Sequence, residues 1–395
     1  MRRPPPPRDR PEGRMTAPVR VLEGFAGPGG WGEGARMLGI GGVLGIDVDP
    51  DACATATAAG HRRMQGDVRA LDPEDFPTVT GWISSPPCPT FTTAGKRSGV
   101  ADRPIVLEGC TRLGDAQADP ARDDDHLAVY RRVGDERTAL VLETLRFAFR
   151  LPNVRWVVAE QVPTVEPVWQ DMAAELAMAA DFEACHVVEL RADDFGAATR
   201  RRRTFLIATR DGSPDLTGLP MRAWWSCGRF TPPQQHAPTT VTEFPLTSMA
   251  AALGWPAGVR VNTRGNRRTA GGNEFSADRP AVSMTGNGLR AWYRTDLGKP
   301  AGLLTPAQAG LLQGFPAAYP WHGSRSSRFQ QVADTVSPLI AAAVLGAATR
   351  RPWADAVWDR LHRLYGHTRP HHPRHRLCTT DRPATAQLTL FGDAA

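Results

Sequence analysis

Strands alternate with helices from Val19 to Thr209, and this predicts an α/β protein with a mostly parallel sheet covered by helices on both faces. Two more observations refine the class. A glycine-rich loop, Phe25-Ala26-Gly27-Pro28-Gly29-Gly30, joins the first strand to the first helix. From Asp211 to Asp278 the alternation lapses into a stretch rich in Gly, Pro, Asn, Arg and Trp, which predicts a second, small, loop-rich domain.

The elements follow in order. Residues 1–17 are Arg- and Pro-rich and predict a disordered extension, with Met15 a possible internal start. Val19 to Gly24 reads as a buried strand, followed by a helix from Trp31 to Leu38. A second strand, Gly42 to Ile46, ends at Asp47, and a helix covers Asp51 to Ala59. A short strand ends near Gly66-Asp67, and the apolar Gly81-Trp82-Ile83 leads into Ser85-Pro86-Pro87-Cys88-Pro89. Gly99 to Arg137 is polar and acidic, without clear periodicity. The alternation resumes with a helix (Thr138 to Arg150), a strand (Val154 to Ala159), a helix (Val168 to Ala179) and two strands (Cys185 to Leu190, Thr204 to Thr209). Later come helix-like Thr305 to Gln313, apolar Pro338 to Ala348 and amphipathic Trp353 to Tyr365.

Composition narrows the function classes. The sequence carries no apolar run near twenty residues and no signal-peptide pattern, so a cytoplasmic protein without a membrane span is expected. Six scattered cysteines without a CxxC pair argue against a zinc site and a disulfide framework. The net charge of +6 sits in the tails: Val21 to Thr349 holds 33 basic and 35 acidic residues. Basic tails attract polyanions without choosing among them, so sequence-selective contacts have to come from local arginine clusters in the body.

The chemistry-bearing residues lie at strand ends. Phe25, Ala26, Gly27, Gly29 and Gly30 form a loop whose amides, with the helix N-terminus, approach a ligand closely; the spacing departs from GxGxxG and favours an adenosine ligand other than a dinucleotide. Asp47, ending the second strand, suits ribose hydroxyls, and Asp67, ending the third, suits an adenine amino group; the competing role for either is a helix cap. Prolines stiffen the loop around Cys88 and hold one thiol still. A cysteine nucleophile, an acid at Glu160 and cations at Arg201 and Arg203 together suit one reaction. A thiolate added to carbon 6 of cytosine makes carbon 5 nucleophilic toward an electrophilic methyl group, while the acid engages the ring nitrogen and the cations the ring oxygen. Arg200 and Arg202 read as solvated or phosphate-facing.

In these residues the chain resembles the DNA (cytosine-5) methyltransferase family of bacteria and their phages, over nearly all of Val19 to Thr349. FAGPGG resembles the cofactor loop, PPCPTFT the nucleophile loop, Glu160-Gln161-Val162 the Glu-Asn-Val motif and the arginine run the Gln-x-Arg-x-Arg motif. LTPAQAGLLQGFP and Gln331-Val332-Ala333-Asp334 resemble the last two motifs. The resemblance implies a Rossmann-like fold, S-adenosylmethionine as methyl donor, and a cytosine flipped from double-stranded DNA as target. It also implies donor contacts from Pro87 and Asp334, and a C-terminal helix that packs beside the cofactor loop. Gln161, Thr199, Ala333-Asp334 and Ser337 depart from the usual Asn, Gln, Gly-Asn and Pro; the alternative reading, a DNA-binding protein without turnover, rests on Thr199 and Asp334.

The domain plan is then a disordered start (1–17), a catalytic domain (18–210), a target-recognition domain (211–282), a return to the catalytic domain (283–349), an extra helix (350–366) and a flexible basic tail (367–395). Arg264, Asn266, Arg267 and Arg268 are the candidate base-edge contacts, with Trp224, Trp225 and Arg229 nearby. Gln387-Leu388-Thr389-Leu390-Phe391 resembles the short peptide that binds the replicative sliding clamp. A monomer is expected.

Overall fold

The computed structural model describes residues 18–87, 101–118, 127–235, 240–263, 274–369 and 375–377. Cys88, the candidate base contacts Arg264, Asn266, Arg267 and Arg268, and the Gln387–Phe391 segment lie outside the described residues.

The first half alternates as the sequence predicts: β1 (Val21–Gly24), α1 (Gly30–Met37), β2 (Val43–Asp47), α2 (Pro50–Ala58), β3 (Arg62–Gln65) and β4 (Gly81–Ser84). Helices α3 (Arg103–Ala118), α4 (Leu127–Tyr130), α5 (Glu136–Ala139) and α6 (Leu142–Arg150) precede β5 (Trp156–Gln161), α7 (Glu166–Ala179), β6 (Ala184–Arg191) and β7 (Arg202–Thr209). With β8 (Ala223–Gly228) and β9 (Thr231–Gln235) these strands form one nine-stranded sheet, in the order β3-β2-β1-β4-β5-β7-β6-β8-β9. Neighbours from β3 to β5 are parallel, and β7 runs antiparallel between β5 and β6, so β1 to β6 all point the same way. Gly24 pairs with Ile46 and with Ser84, and Ser84 pairs with Ala159. The loops after β1, β2, β4 and β5 therefore leave from one edge, where ligands bind in open α/β sheets.

Alternation within the strands feeds two cores. Leu22, Trp82 and Val157 pack under α3, α6 and α7, with Trp82 stacked on Phe147 at 4.4 Å between ring centres. Val21, Ile83 and Val158 face the opposite side, under α1 and two C-terminal helices, Pro338–Thr349 and Ala354–Tyr365.

The stretch read as lacking a period carries α3, so that expectation is corrected. Val106, Cys110, Leu113 and Ala116 recur at helical spacing and are buried. The charges between them sit on more exposed faces, while Gly109 and Gly114, buried on the packed side but carrying no side chain, blur the pattern in the sequence.

The domain boundaries also move. Beyond β9 come β10 (Thr240–Thr242), α8 (Met249–Leu253), β11 (Arg260–Asn262), β12 (Glu274–Ser276), α9 (Gly286–Leu289), β13 (Tyr293–Asp296) and β14 (Lys299–Leu303). They are followed by α10 (Pro306–Gln313), α11 (Arg325–Asp334), α12 (Pro338–Thr349), α13 (Ala354–Tyr365) and β15 (His375–Leu377). Because β8 and β9 lengthen the main sheet, the small domain begins after them and not at residue 211. Trp224 and Trp225 pack against the two main cores, and Arg229 pairs with Asp181, so these three belong to the sheet and not to a recognition loop. The small domain is an antiparallel sheet, β12-β11-β13-β14, whose core joins Met249, Val261, Trp292 and Leu304 to Phe329 and Val332 of α11. Tyr319, His322 and Gln331 bond back to Pro28 and Thr55, and α12 then packs wholly within a core of the main sheet.

Helix α12 is apolar almost throughout and buried on all sides. The run Arg325–Thr349 has the length and apolarity to cross a bilayer, yet 89% of its apolar window is buried inside this fold. At the C-terminus β15 pairs with β10, so three residues of the expected flexible tail are strand.

Candidate active site

The glycine loop bends at three positive φ angles: Phe25 at 57°, Gly27 at 51° and Gly29 at 110°. A phenylalanine in the left-handed region is strained, and such strain concentrates at functional sites. The surroundings hold it there. Ala26 N donates to Ile46 O at 3.0 Å, Gly27 N donates to Asp47 Oδ2 at 2.7 Å, and Tyr319 Oη donates to Pro28 O at 2.6 Å. A side chain at Gly30 would collide with the Val336 carbonyl, so α1 starts flush against the segment that leads into α12. This places the returning helix beside the loop, as the resemblance implies. Gly27 instead faces open space, the cradle a ligand needs.

Asp47 accepts from Gly27 N and, through Oδ1, from Asp49 N at 2.9 Å. Burial raises its carboxyl, and these two bonds pull the other way. Asp67 does what the competing role predicts. It caps the turn Val68–Ala70 through Arg69 N at 2.9 Å and receives the Arg69 guanidinium at 2.7 Å, which holds its carboxyl below the ordinary range. Those bonds already engage the group expected to meet an adenine.

The strand before Cys88 is fixed from both sides. Ser84 Oγ and Thr144 Oγ1 lie 2.8 Å apart, and Trp31 Nε1 donates to Ser85 Oγ at 2.8 Å. Gln161 Nε2 donates to Pro86 O at 2.6 Å, and its Oε1 accepts from Val162 N at 2.6 Å. The amide beside Glu160 thus ties β5 to the backbone that enters Pro87 and the nucleophile loop.

Glu160 is the last residue but one of β5, 5% exposed, with Arg203 Nε 2.9 Å and Arg201 Nη2 3.8 Å from its Oε1. The two arginines are not equivalent. Arg203 is partly open to the cleft. Arg201 is enclosed, donates to the carbonyl of Ala333 and to that of Asp334 (2.9 Å), and burial pushes its guanidinium down to about 9. It braces Glu160 against the end of α11, and its charge is enclosed by protein. Asp334 ends α11 within electrostatic reach of Arg201, Arg203 and Asp47. Crowding by protein raises its carboxyl, and Gln330 Nε2, donating at 2.6 Å, opposes the rise.

The structure therefore brings Phe25, Ala26, Gly27, Asp47, Pro87, Glu160, Arg203 and Asp334 to one sheet edge, with Gly29 and Gly30 packed behind and Asp67 turned to Arg69. Sequence reasoning missed Glu23 and Arg63, both buried under the loop; the signal was a glutamate inside the otherwise apolar strand Val21–Gly24.

A sheet in which six strands run together, with an antiparallel seventh inserted before the sixth and a glycine loop after the first, defines a Rossmann-like methyltransferase. Residues 19–107 match the family model of C-5 cytosine-specific DNA methylases. The Type II methyltransferase M.NgoMIV of Neisseria gonorrhoeae is 24% identical over 340 residues, 82% of this chain and 95% of that protein. Type II methyltransferase M.DdeI of Desulfomicrobium norvegicum is 25% identical over 209 residues, 50% of this chain, and the match spans 42% of that relative's length. The S. pombe Dnmt2 methyltransferase structure shares the fold at a TM-score of 0.54 and 12% identity, covering 84% of this chain and 98% of its own. The chain is thus similar to C-5 cytosine-specific DNA methylases over residues 19–107 and to a Type II methyltransferase over most of its length, and the donor expected of such enzymes is S-adenosylmethionine.

Proposed function

We propose that the protein transfers a methyl group to carbon 5 of a cytosine flipped out of a specific duplex DNA sequence, through a covalent bond to Cys88. The observation that carries this is the junction of β4 and β5. Glu160, paired with Arg203 at 2.9 Å, stands beside the backbone entering the Cys88 loop, which Gln161 holds at Pro86. Acid, cation and the strand end that leads toward Cys88 share one edge with the glycine loop.

The donor, when bound, supplies an electrophilic methyl group on a sulfonium. The open face of Gly27 and the adjacent Asp47 fit it, with Phe25 and Pro87 bounding the same edge. Addition of the Cys88 thiolate to carbon 6 pushes the electron pair toward carbon 5, while Glu160 hydrogen-bonds the ring nitrogen and lowers the cost of that charge. Arg203 keeps Glu160 oriented and stands at the cleft, where charge develops on the ring oxygen. Once carbon 5 carries the methyl group, loss of its proton returns the electron pair, breaks the bond to Cys88 and restores the aromatic ring.

The small domain suits target recognition, with Arg264, Asn266, Arg267 and Arg268 as candidate base contacts. Type II relatives support a role in restriction–modification or in protecting host or phage DNA. Gln387–Phe391 would tether the enzyme to a sliding clamp, and deletion of residues 387–391 without loss of clamp binding would remove that part.

Nucleoside mass spectrometry of DNA from expressing cells tests the whole reading. 5-Methylcytosine should accumulate with the wild type and vanish with Cys88→Ser; no methylcytosine from folded wild type would overturn it. Trapping on 5-fluorocytosine DNA in the presence of donor should give a covalent adduct through Cys88.

A further inference from the structure

Three strands meet in one row beneath the glycine loop. Glu23 of β1 lies opposite Gly45 of β2, and Gly45 lies opposite Arg63 of β3. A side chain on Gly45 would collide with the Arg63 guanidinium and with Cβ of Ala26. Glycine here opens a slot, and Arg63 crosses β2 through it.

The crossing ends under the loop. Arg63 Nη1 stops 3.6 Å from Glu23 Oε2 and donates to Arg62 O at 3.1 Å, while Nη2 donates to Ala26 O at 3.4 Å. Both side chains are shut from water, at 2% and 0% exposure. Neither Glu23 oxygen has a hydrogen-bond partner among the described residues. A buried carboxylate held by one distant cation stabilises a fold poorly, and apolar residues of similar size generally do better. The arrangement is better explained by what it touches. Ala26 sits between Phe25 and Gly27, the two residues at positive φ, and its N–H is already fixed to Ile46 O. Arg63 fixes the other end of that stretch. Its charge also reaches Asp47, whose carboxyl burial raises and Arg63 lowers; Arg63 and Asp47 are the charged groups that act on Glu23.

We infer that Arg63, reaching over Gly45 to Ala26 and Glu23, is a positioning residue for the methyl donor, setting the shape of the loop beside Asp47. The inference rests on the donor reading proposed above. It assigns Arg63 no contact with the donor itself.

Calorimetric titration of the full chain with S-adenosylmethionine and with S-adenosylhomocysteine, beside steady-state kinetics, tests it. Arg63→Met should weaken donor binding roughly tenfold or more, equivalent to about 1.4 kcal/mol, and raise donor KM while kcat at saturating donor stays near wild type. Arg63→Lys should fall between, since an ammonium cannot serve Glu23 and the Ala26 carbonyl together. Should Arg63→Met fail to fold, the double variant Glu23→Gln/Arg63→Met removes the stranded charge and should fold, yet still bind donor weakly. A folded Arg63→Met, or the double variant, with wild-type donor affinity overturns the inference alone. A wild type that binds neither ligand removes the donor reading, and this inference with it.

Discussion

Arg201 and Arg203 are two residues apart where β7 begins, and the structure surrounds them differently, so their removal should fail in different ways. Arg201 is 2% exposed and donates to two backbone carbonyls at the end of α11 while standing 3.8 Å from Glu160. Arg201→Met strands both carbonyls and halves the positive charge around Glu160. Breaking a buried charge pair of this kind costs about 3–5 kcal/mol, a large part of the ~5–15 kcal/mol that holds a typical domain together. Arg203 keeps 16% of its side chain exposed, lies 2.9 Å from Glu160 and donates to Arg202 O at 2.7 Å. Its loss should cost about 1 kcal/mol of stability but lower kcat by roughly 10²–10³, the penalty for removing one preorganised charge from a reacting centre. Urea unfolding followed by tryptophan fluorescence measures the first effect, and transfer of radiolabelled methyl groups to duplex DNA at saturating donor measures the second. An Arg201→Met protein as stable as wild type, with a kcat loss matching that of Arg203→Met, would refute the division of roles.

Other outcomes follow from the same geometry. Burial pushes the Glu23 carboxyl up to about 7 from 4.5, so the folded chain holds that proton more tightly than the unfolded one, and stability falls as pH rises between those values. Glu23→Gln should shrink the stability difference between pH 5 and pH 8 by up to about 3 kcal/mol; an unchanged difference in denaturant titrations at the two pH values speaks against a titrating Glu23. Cys53, Cys110, Cys185 and Cys227 are buried, and burial raises the thiols of Cys53, Cys110 and Cys185. Iodoacetamide on the native protein, read by peptide mapping, should therefore label Cys88 and spare those four. Asp334→Asn should change kcat by less than about threefold, because Arg201 uses the Asp334 carbonyl and an amide oxygen can still accept from Gln330; a tenfold change in methyl-transfer rate would show that the carboxylate charge itself matters.

Much of the main sheet was legible because its strands are short apolar runs that end in Gly, Asp or Pro, and because chemistry-bearing residues stand at their ends. Glu160 after Trp156–Ala159 and Asp47 after Val43–Ile46 are found that way, and both reach the expected edge. Helix α3 was not legible, since two of its buried positions are the glycines Gly109 and Gly114 and charged Glu108 and Arg112 interrupt the rest, which weakens any apolar stripe. Strands β8 and β9 were assigned to the wrong domain because strand membership is decided by pairing, and Trp224 beside Val188 is a contact between residues far apart in sequence. The division between Arg201 and Arg203 was hidden for a related reason. Alternation along a strand puts both on one face, but α11, more than a hundred residues later, buries one and leaves the other at the cleft.

The departures from the family's motifs fall where backbone, or a retained chemical group, carries the interaction. Gln161 keeps an amide and with it holds Pro86 O and Val162 N. Thr199 is fully buried at the seam with the small domain, where it forms a parallel bridge to Ala281 and Arg200 N donates to Ala281 O at 2.8 Å. A side chain that reached outward there would have to displace that bridge. At Ala333-Asp334 the acceptors for Arg201 are main-chain carbonyls, which any residue supplies. Ser337 replaces a rigid residue with one whose Oγ donates to Gln313 O at 2.8 Å, tying the start of α12 to the end of α10. Each change leaves the position of Glu160 and of the loop before Cys88 governed by the same sheet edge and the same helix end. A chain drifting away from catalysis has no reason to confine its changes to positions where backbone does the holding, and this pattern weighs toward turnover and against a protein that only binds DNA.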